Sequence, residues 1–151
     1  MEIRVNTDQI KLLEDFFADL STADQRKIFL AAFRRGSKPI ISEAQVMVPK
    51  RTGNLQRSIG SMPLQDEVAL LIGARKGAGQ KGWHGHLVEN GTVERFYRTK
   101  KGKTKSTGKM PASHFFEGAY DRNEEKMVDA IQDEWLSEID RLIQRLNRDK
   151  R

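Results

Sequence analysis

The feature that most constrains the fold is an apolar stripe near the C-terminus. Val128, Ile131, Trp135, Ile139, Leu142 and Leu146 follow one another at steps of 3, 4, 4, 3 and 4. The five steps cover 18 residues, a mean of 3.6, which is the period of a straight amphipathic α-helix. A strand cannot collect these residues on one face, because its side chains alternate with period two. The stripe therefore predicts a helical segment over 112–148 that buries one side. Packing on the protein's own core is the expected role, with a partner helix as the alternative.

The upstream chain supplies candidates for what that helix packs on. Asn6 or Thr7 can cap a short helix over 8–20, with Ile10, Leu13, Phe16, Phe17 and Leu20 on its apolar side. Thr22 and Gln25 have the spacing of a capping box, and a second helix is predicted over 23–47. Its stripe holds Ile28, Ala31, Ala32, Ile40, Ala44 and Met47. Gly36 and Pro39 lie inside it and predict a kink, since proline has no N–H for the preceding turn. Pro49 ends it.

From Leu55 to Met62 and from Val68 to Ile72 the pattern predicts two strands around the turn Gln65-Asp66-Glu67. A glycine-rich, basic loop follows over 74–82. His84 to Glu89 fits either a short strand or one helical turn. Val93–Arg98 and Lys105–Met110 predict the arms of a long hairpin with Lys100-Lys101-Gly102-Lys103 at its tip. The expected fold is α+β: a small, mostly antiparallel sheet over 55–110, packed against a long N-terminal helix and a long C-terminal helix. A basic hairpin or loop over 97–110 protrudes from it.

Composition narrows the chemistry. A chain of 151 residues fits one domain spanning 1–151. It has no cysteine, which excludes disulfides, thiolate metal sites and a cysteine nucleophile. No secretory leader or membrane-spanning run is read in it. The net charge is +6, but it is unevenly placed. Residues 1–73 carry a net +1, residues 74–110 a net +8 and residues 111–151 a net −3. A basic arm, Arg98, Lys100, Lys101, Lys103, Lys105 and Lys109, thus faces an acidic counterpart on the C-terminal helix: Asp129, Asp133, Glu134, Glu138 and Asp140.

No motif supports catalysis or a cofactor. Gly77, Gly79 and Gly82 match G-x-G-x-x-G, but the seven residues up to Glu89 are too few for the helix a dinucleotide site needs. Gly102-Lys103-Thr104 resembles the end of a P-loop whose first glycine would fall at Tyr97. His84 and His86, with Glu89 or His114, would be a metal set only if they shared a strand face. The expectation is a non-enzyme with no metal and no cofactor.

Three blocks occur in order. The first runs from Ala44 to Ile59 and contains Pro49-Lys50-Arg51-Thr52-Gly53-Asn54-Leu55-Gln56-Arg57-Ser58-Ile59, the second is His84-Gly85-His86-Leu87-Val88-Glu89-Asn90-Gly91-Thr92, and the third is Met110-Pro111-Ala112-Ser113-His114-Phe115-Phe116-Glu117-Gly118-Ala119. Together they resemble the tail-component family of long-tailed bacteriophages, the neck or tail-completion proteins. That family shows P-x-x-T-G-x-L-x-x-S-I, then V-E-x-G-T, then P-A-x-x-F before a C-terminal helix. Asn90 stands where the family often has an aromatic, and Gly85 where alanine is usual. Read physically, these are scaffold residues. Gly53 and Gly91 suit sharp turns, Thr92 can hydrogen-bond locally, and Pro111 and Ala112 would open the last helix.

The resemblance implies a structural virion protein that forms a ring, six-fold, at the head–tail junction. Its implied partners are further copies of itself, an adjacent connector or head-closure protein, and a tail-tube or tail-terminator protein. It would be made and assembled in the host cytoplasm. The alternative is a nucleic-acid-binding module that uses the 97–110 arm, with DNA in the channel as its partner.

Overall fold

The computed structural model describes Ala18, residues 21–77 and residues 79–149, apart from the side chains of residue 80 and of a few residues near the C-terminus. The helix expected over 8–20 lies outside the described residues except for Ala18. The architecture is α+β, with two long helices and three two-stranded antiparallel pairs.

Helix α1 spans Thr22–Met47. Its cap is Ser21, one residue before the expected Thr22. Ser21 has extended backbone angles, and its hydroxyl accepts from the Asp24 N–H at 3.2 Å. Thr22 already has helical geometry, which a capping residue cannot have. The helix continues through Gly36 and Pro39 to Met47. Gly36 is buried, and a Cβ there would lie 2.3 Å from the Ile131 side chain. The missing side chain is what allows the partner helix to approach.

That partner, α4, spans Phe115–Asp149. Phe29 stacks on Trp135 at 6.5 Å, Gly36 meets Ile131, and Glu43 pairs with Arg122 at 3.0 Å. The partner numbers fall as those of α1 rise, so the helices run antiparallel. Ile139 and Leu142 of the predicted stripe are buried. From Ile131 to Leu142 the stripe thus packs within the chain, whereas Val128 at its start is 43% exposed. Helix α4 starts later than the expected Ala112 because His114 has a φ of 47°, a left-handed conformation that cannot continue a helix.

Between the long helices lie the small elements. Gly53, at φ 69°, opens a helical turn, α2, over Asn54–Ser58. The expected strand from Leu55 is corrected here: pairing begins only at Ile59. Leu55 and Ser58 are both buried at a spacing of three, which suits a helical turn, and the Ser58 hydroxyl donates to the Leu55 carbonyl at 2.7 Å. Strand β1, Ile59–Pro63, pairs with β2, Leu70–Ala74, from Ile59↔Ala74 to Pro63↔Leu70. The Arg26 guanidinium donates to the Leu64 and Glu67 carbonyls and fixes the hairpin tip to α1.

The glycine-rich run is not only loop. It folds into two short strands, β3 (Lys76–Gly77) and β4 (Gln80–Lys81). Helix α3 then spans Gly85–Asn90. Strands β5 (Phe96–Arg98) and β6 (Thr104–Ser106) form a hairpin where one was predicted, with arms shorter than the expected Val93–Arg98 and Lys105–Met110 and an isolated further bridge, Thr92 to Met110, at its base. The core gathers where α1 ends and α4 begins: Ile40, Ala44, Val48, Leu55, Ile59, Phe115 and Ala119.

Candidate functional site: a stapled scaffold and its cationic arm

The motif residues converge on one corner. Glu89, at the end of α3, reaches across to the start of α4. Its two carboxylate oxygens accept from the Phe116 N–H at 2.9 Å and the Glu117 N–H at 3.0 Å. These N–H groups have no partner within the helix, and the helix dipole favours a negative charge there. Glu89 is therefore a long-range cap, 27 residues from the first amide that it satisfies. Nothing local in the sequence signals this role, since capping boxes are recognised over three residues. Replacing Glu89 with alanine is expected to lower stability by about 0.5–2 kcal/mol. Amide exchange at Phe116 and Glu117 should accelerate with it, which hydrogen-exchange NMR would read.

Gly91 follows with φ 71° and ψ −173°. A Cβ there would meet the Ala112 nitrogen at 2.6 Å and the Met110 carbonyl oxygen at 2.7 Å. This close approach lets Thr92 bridge to Met110. The Thr92 N–H donates to the Met110 carbonyl at 2.8 Å, and the Met110 N–H donates to the Thr92 hydroxyl at 3.1 Å. Thr92 thus bonds across 18 residues, not locally as its sequence context suggested. Pro49, Thr52, Gly53, Leu55, His84, Val88 and Pro111 line a largely apolar cavity of about 590 Å³ beside this bridge. The His84 Nδ1 is buried with no hydrogen-bond partner among the described residues.

From the bridge the arm projects. Phe96 pairs with Ser106, Tyr97 with Lys105 and Arg98 with Thr104. Opposed residues in an antiparallel pair share a face. One face therefore carries Phe96 and Arg98, the other Tyr97 and Lys105. Both strands are exposed throughout, and Phe96 is 63% exposed. Lys100, Lys101, Lys103, Lys105 and Lys109 are exposed and form no ion pair among the described residues. Arg98 donates to the Gly102 carbonyl at the tip.

The acidic residues of α4 divide into two groups. Glu134 and Glu138 both pair with Arg141 of the same helix. Asp129, Asp133 and Asp140 are exposed and make no ion pair among the described residues.

Of the two readings of His84–Glu89, the structure shows the helical turn. His84 caps α3 and His86 lies inside that helix, so they do not share a strand face. The group brought together is Glu89, His114 and Glu117, with ligand atoms within 4.8 Å of one another. Both Glu89 oxygens already accept backbone N–H groups, and the His114 Nδ1 lies 2.8 Å from Glu117. The positive end of α4 further opposes a cation there. Gly77 and Gly79 sit at the β3–β4 turn, and the helix that follows has only six residues. That is not the architecture of a dinucleotide site.

The described residues thus form two long antiparallel helices, a small hairpin layer and an exposed cationic arm. Over residues 11–91 the chain matches the bacteriophage HK97-gp10-like tail-component family. The chain belongs to that family and is a phage tail component, hence a part of the virion. No curated protein and no solved structure matches it. Among the described residues, no helix is long and apolar enough to cross a membrane.

Proposed function

We propose that this chain forms a ring at the head–tail junction and completes or joins the tail through subunit and ring-to-ring contacts. The observation that carries this reading is the arm, a fully exposed hairpin whose lysines have no acidic partner among the described residues. A two-stranded hairpin on its own is marginally stable in water, so an arm of this kind gains order from the surface it meets. A closed ring needs two different complementary patches on each subunit. The arm lysines and the α4 aspartates, neither in an ion pair among the described residues, are such patches. Neighbouring connector, head-closure, tail-tube or terminator proteins would offer further surfaces above and below a six-fold ring.

Reversing Lys100, Lys101 and Lys103 to glutamate tests the reading. The variant monomer should keep its circular dichroism spectrum and its denaturation midpoint, because surface changes of this kind shift stability by about 0.5 kcal/mol or less. Complementation of a phage lacking the gene should yield no completed tailed particles. Normal particles from that variant would refute the proposal.

The same unpaired cations favour a second reading, contact with DNA in the channel. Neutralising about six phosphates gives a slope of log K against log salt of about −5 on duplex DNA. A gel-shift series that shows no binding at low salt rejects this reading for the free protein.

A further inference from the structure

Helix α4 presents a second stripe beside its buried one. Asp129, Asp133, Leu136, Asp140 and Ile143 follow at steps of 4, 3, 4 and 3, so they share one side of the helix. All five are exposed, Leu136 by 57% and Ile143 by 40%. The stripe contains no base, and its three aspartates have no ion pair among the described residues. Arg141, the base nearest in sequence, is turned to the other flank, where Glu134 and Glu138 hold it. Asp129 and Asp133 stand one turn apart, a like-charge arrangement that disfavours the helix unless a cation neutralises it.

The arm is the complement of this stripe. It combines exposed Phe96 and Tyr97 with lysines, and from 97 to 110 it holds no acid. Each surface therefore pairs apolar area with charge of a single sign, and the signs are opposite. Complementarity of this kind sets orientation and excludes wrong partners.

We infer that the arm of one copy docks on the Asp129–Ile143 stripe of a second copy. This rests on the reading of the arm as an assembly element and goes further by defining the receiving surface as one stripe that joins Leu136 and Ile143 to the three aspartates, met by an aromatic residue of the arm. Phe96 or Tyr97 covers the Leu136–Ile143 apolar strip while the lysines meet Asp129, Asp133 and Asp140. Because the two patches differ, the contact is heterologous, and each copy can both give an arm and receive one.

The cysteine-free chain makes the test direct. Phe96→Cys and Leu136→Cys are prepared as separate full-length proteins, treated with nuclease, and mixed at low salt with a short bismaleimide. The mixture should give a covalent dimer that neither variant gives alone. The double variant should give a ladder of higher oligomers. Adding Asp129→Lys, Asp133→Lys and Asp140→Lys to the Leu136→Cys chain should abolish the dimer. Adding Lys100→Glu, Lys103→Glu and Lys105→Glu to the Phe96→Cys chain should restore it. Both cysteine sites are exposed, so circular dichroism should match that of the unmodified protein.

No cross-link in the mixture overturns the inference. So does a Phe96→Cys chain that links to itself as efficiently, because that contact would be symmetric. If the cross-link fails while arm reversal still blocks particle completion, the arm serves assembly through a different protein. If arm reversal leaves particles normal, the assembly reading itself has failed.

Discussion

Phe115→Ala is expected to lower the unfolding free energy by about 3–5 kcal/mol, the usual cost of removing a buried aromatic ring. Phe115 is 3% exposed and sits where the end of α1, the α2 turn and the start of β1 meet. It belongs to one buried cluster with Ile40, Ala44, Val48, Leu55, Ile59 and Ala119. Its ring also meets Phe116 edge-on at 6.4 Å. The cluster draws on four elements, so no single rotamer change can refill the space. Domains are stable by only about 5–15 kcal/mol, and this loss would be a large share of that. Urea titration followed by tryptophan fluorescence would show a lower midpoint with an unchanged slope. Trp135 lies on the α1–α4 seam and makes a suitable reporter. A shift below about 1 kcal/mol would mean that the cluster closes over the gap, contrary to its packing.

Gly91→Ala is the second large effect. Its backbone, at φ 71° and ψ −173°, lies in a region that only glycine occupies comfortably, and strain there costs about 1–3 kcal/mol. The new methyl group would also press on the Ala112 nitrogen and the Met110 carbonyl oxygen, which are main-chain atoms and cannot swing aside. Gly102→Ala at the arm tip is the control. It has φ 74° with nothing within 4 Å of an added Cβ. The control reads a positive φ in open space, and the excess loss at Gly91 reports its extended ψ together with the close contact. The Thr92–Met110 bridge should open in the Gly91 variant alone, seen as faster exchange of those two amides. Equal losses at both positions would contradict the close packing described for the motif corner.

The sequence carried the long helices well, because their signal is repeated many times. The stripe from Ile131 to Leu142 and the proline after α1 left little freedom, and the structure agrees on both, while Val128 at the head of the stripe stays exposed. Short elements were harder. Leu55 to Ser58 holds one turn of helix, too brief for any periodicity to be distinguished from a strand. Two glycines were read correctly as turns, since a positive φ has a compositional signature. The same reasoning missed His114, which adopts a left-handed conformation without being glycine. The basic arm and acidic helix were visible from charge alone. Which acids were already neutralised was not, because that depends on the helical phase of Arg141 against Glu134 and Glu138. Glu89 was singled out by its motif, yet its partner amides lie too far along the chain for local reasoning to find.

The Glu89 cap and the Thr92–Met110 bridge lie three residues apart in the chain, and both bind the segment 110–117. The arm is thus hinged on the first turn of the longest helix, and not on the β1–β2 hairpin. A load on the arm would therefore reach the start of α4 through the Thr92–Met110 bridge and the Glu89 carboxylate. A contact made by the arm of one subunit would in this way be tied directly to the helix pair that α4 forms with α1.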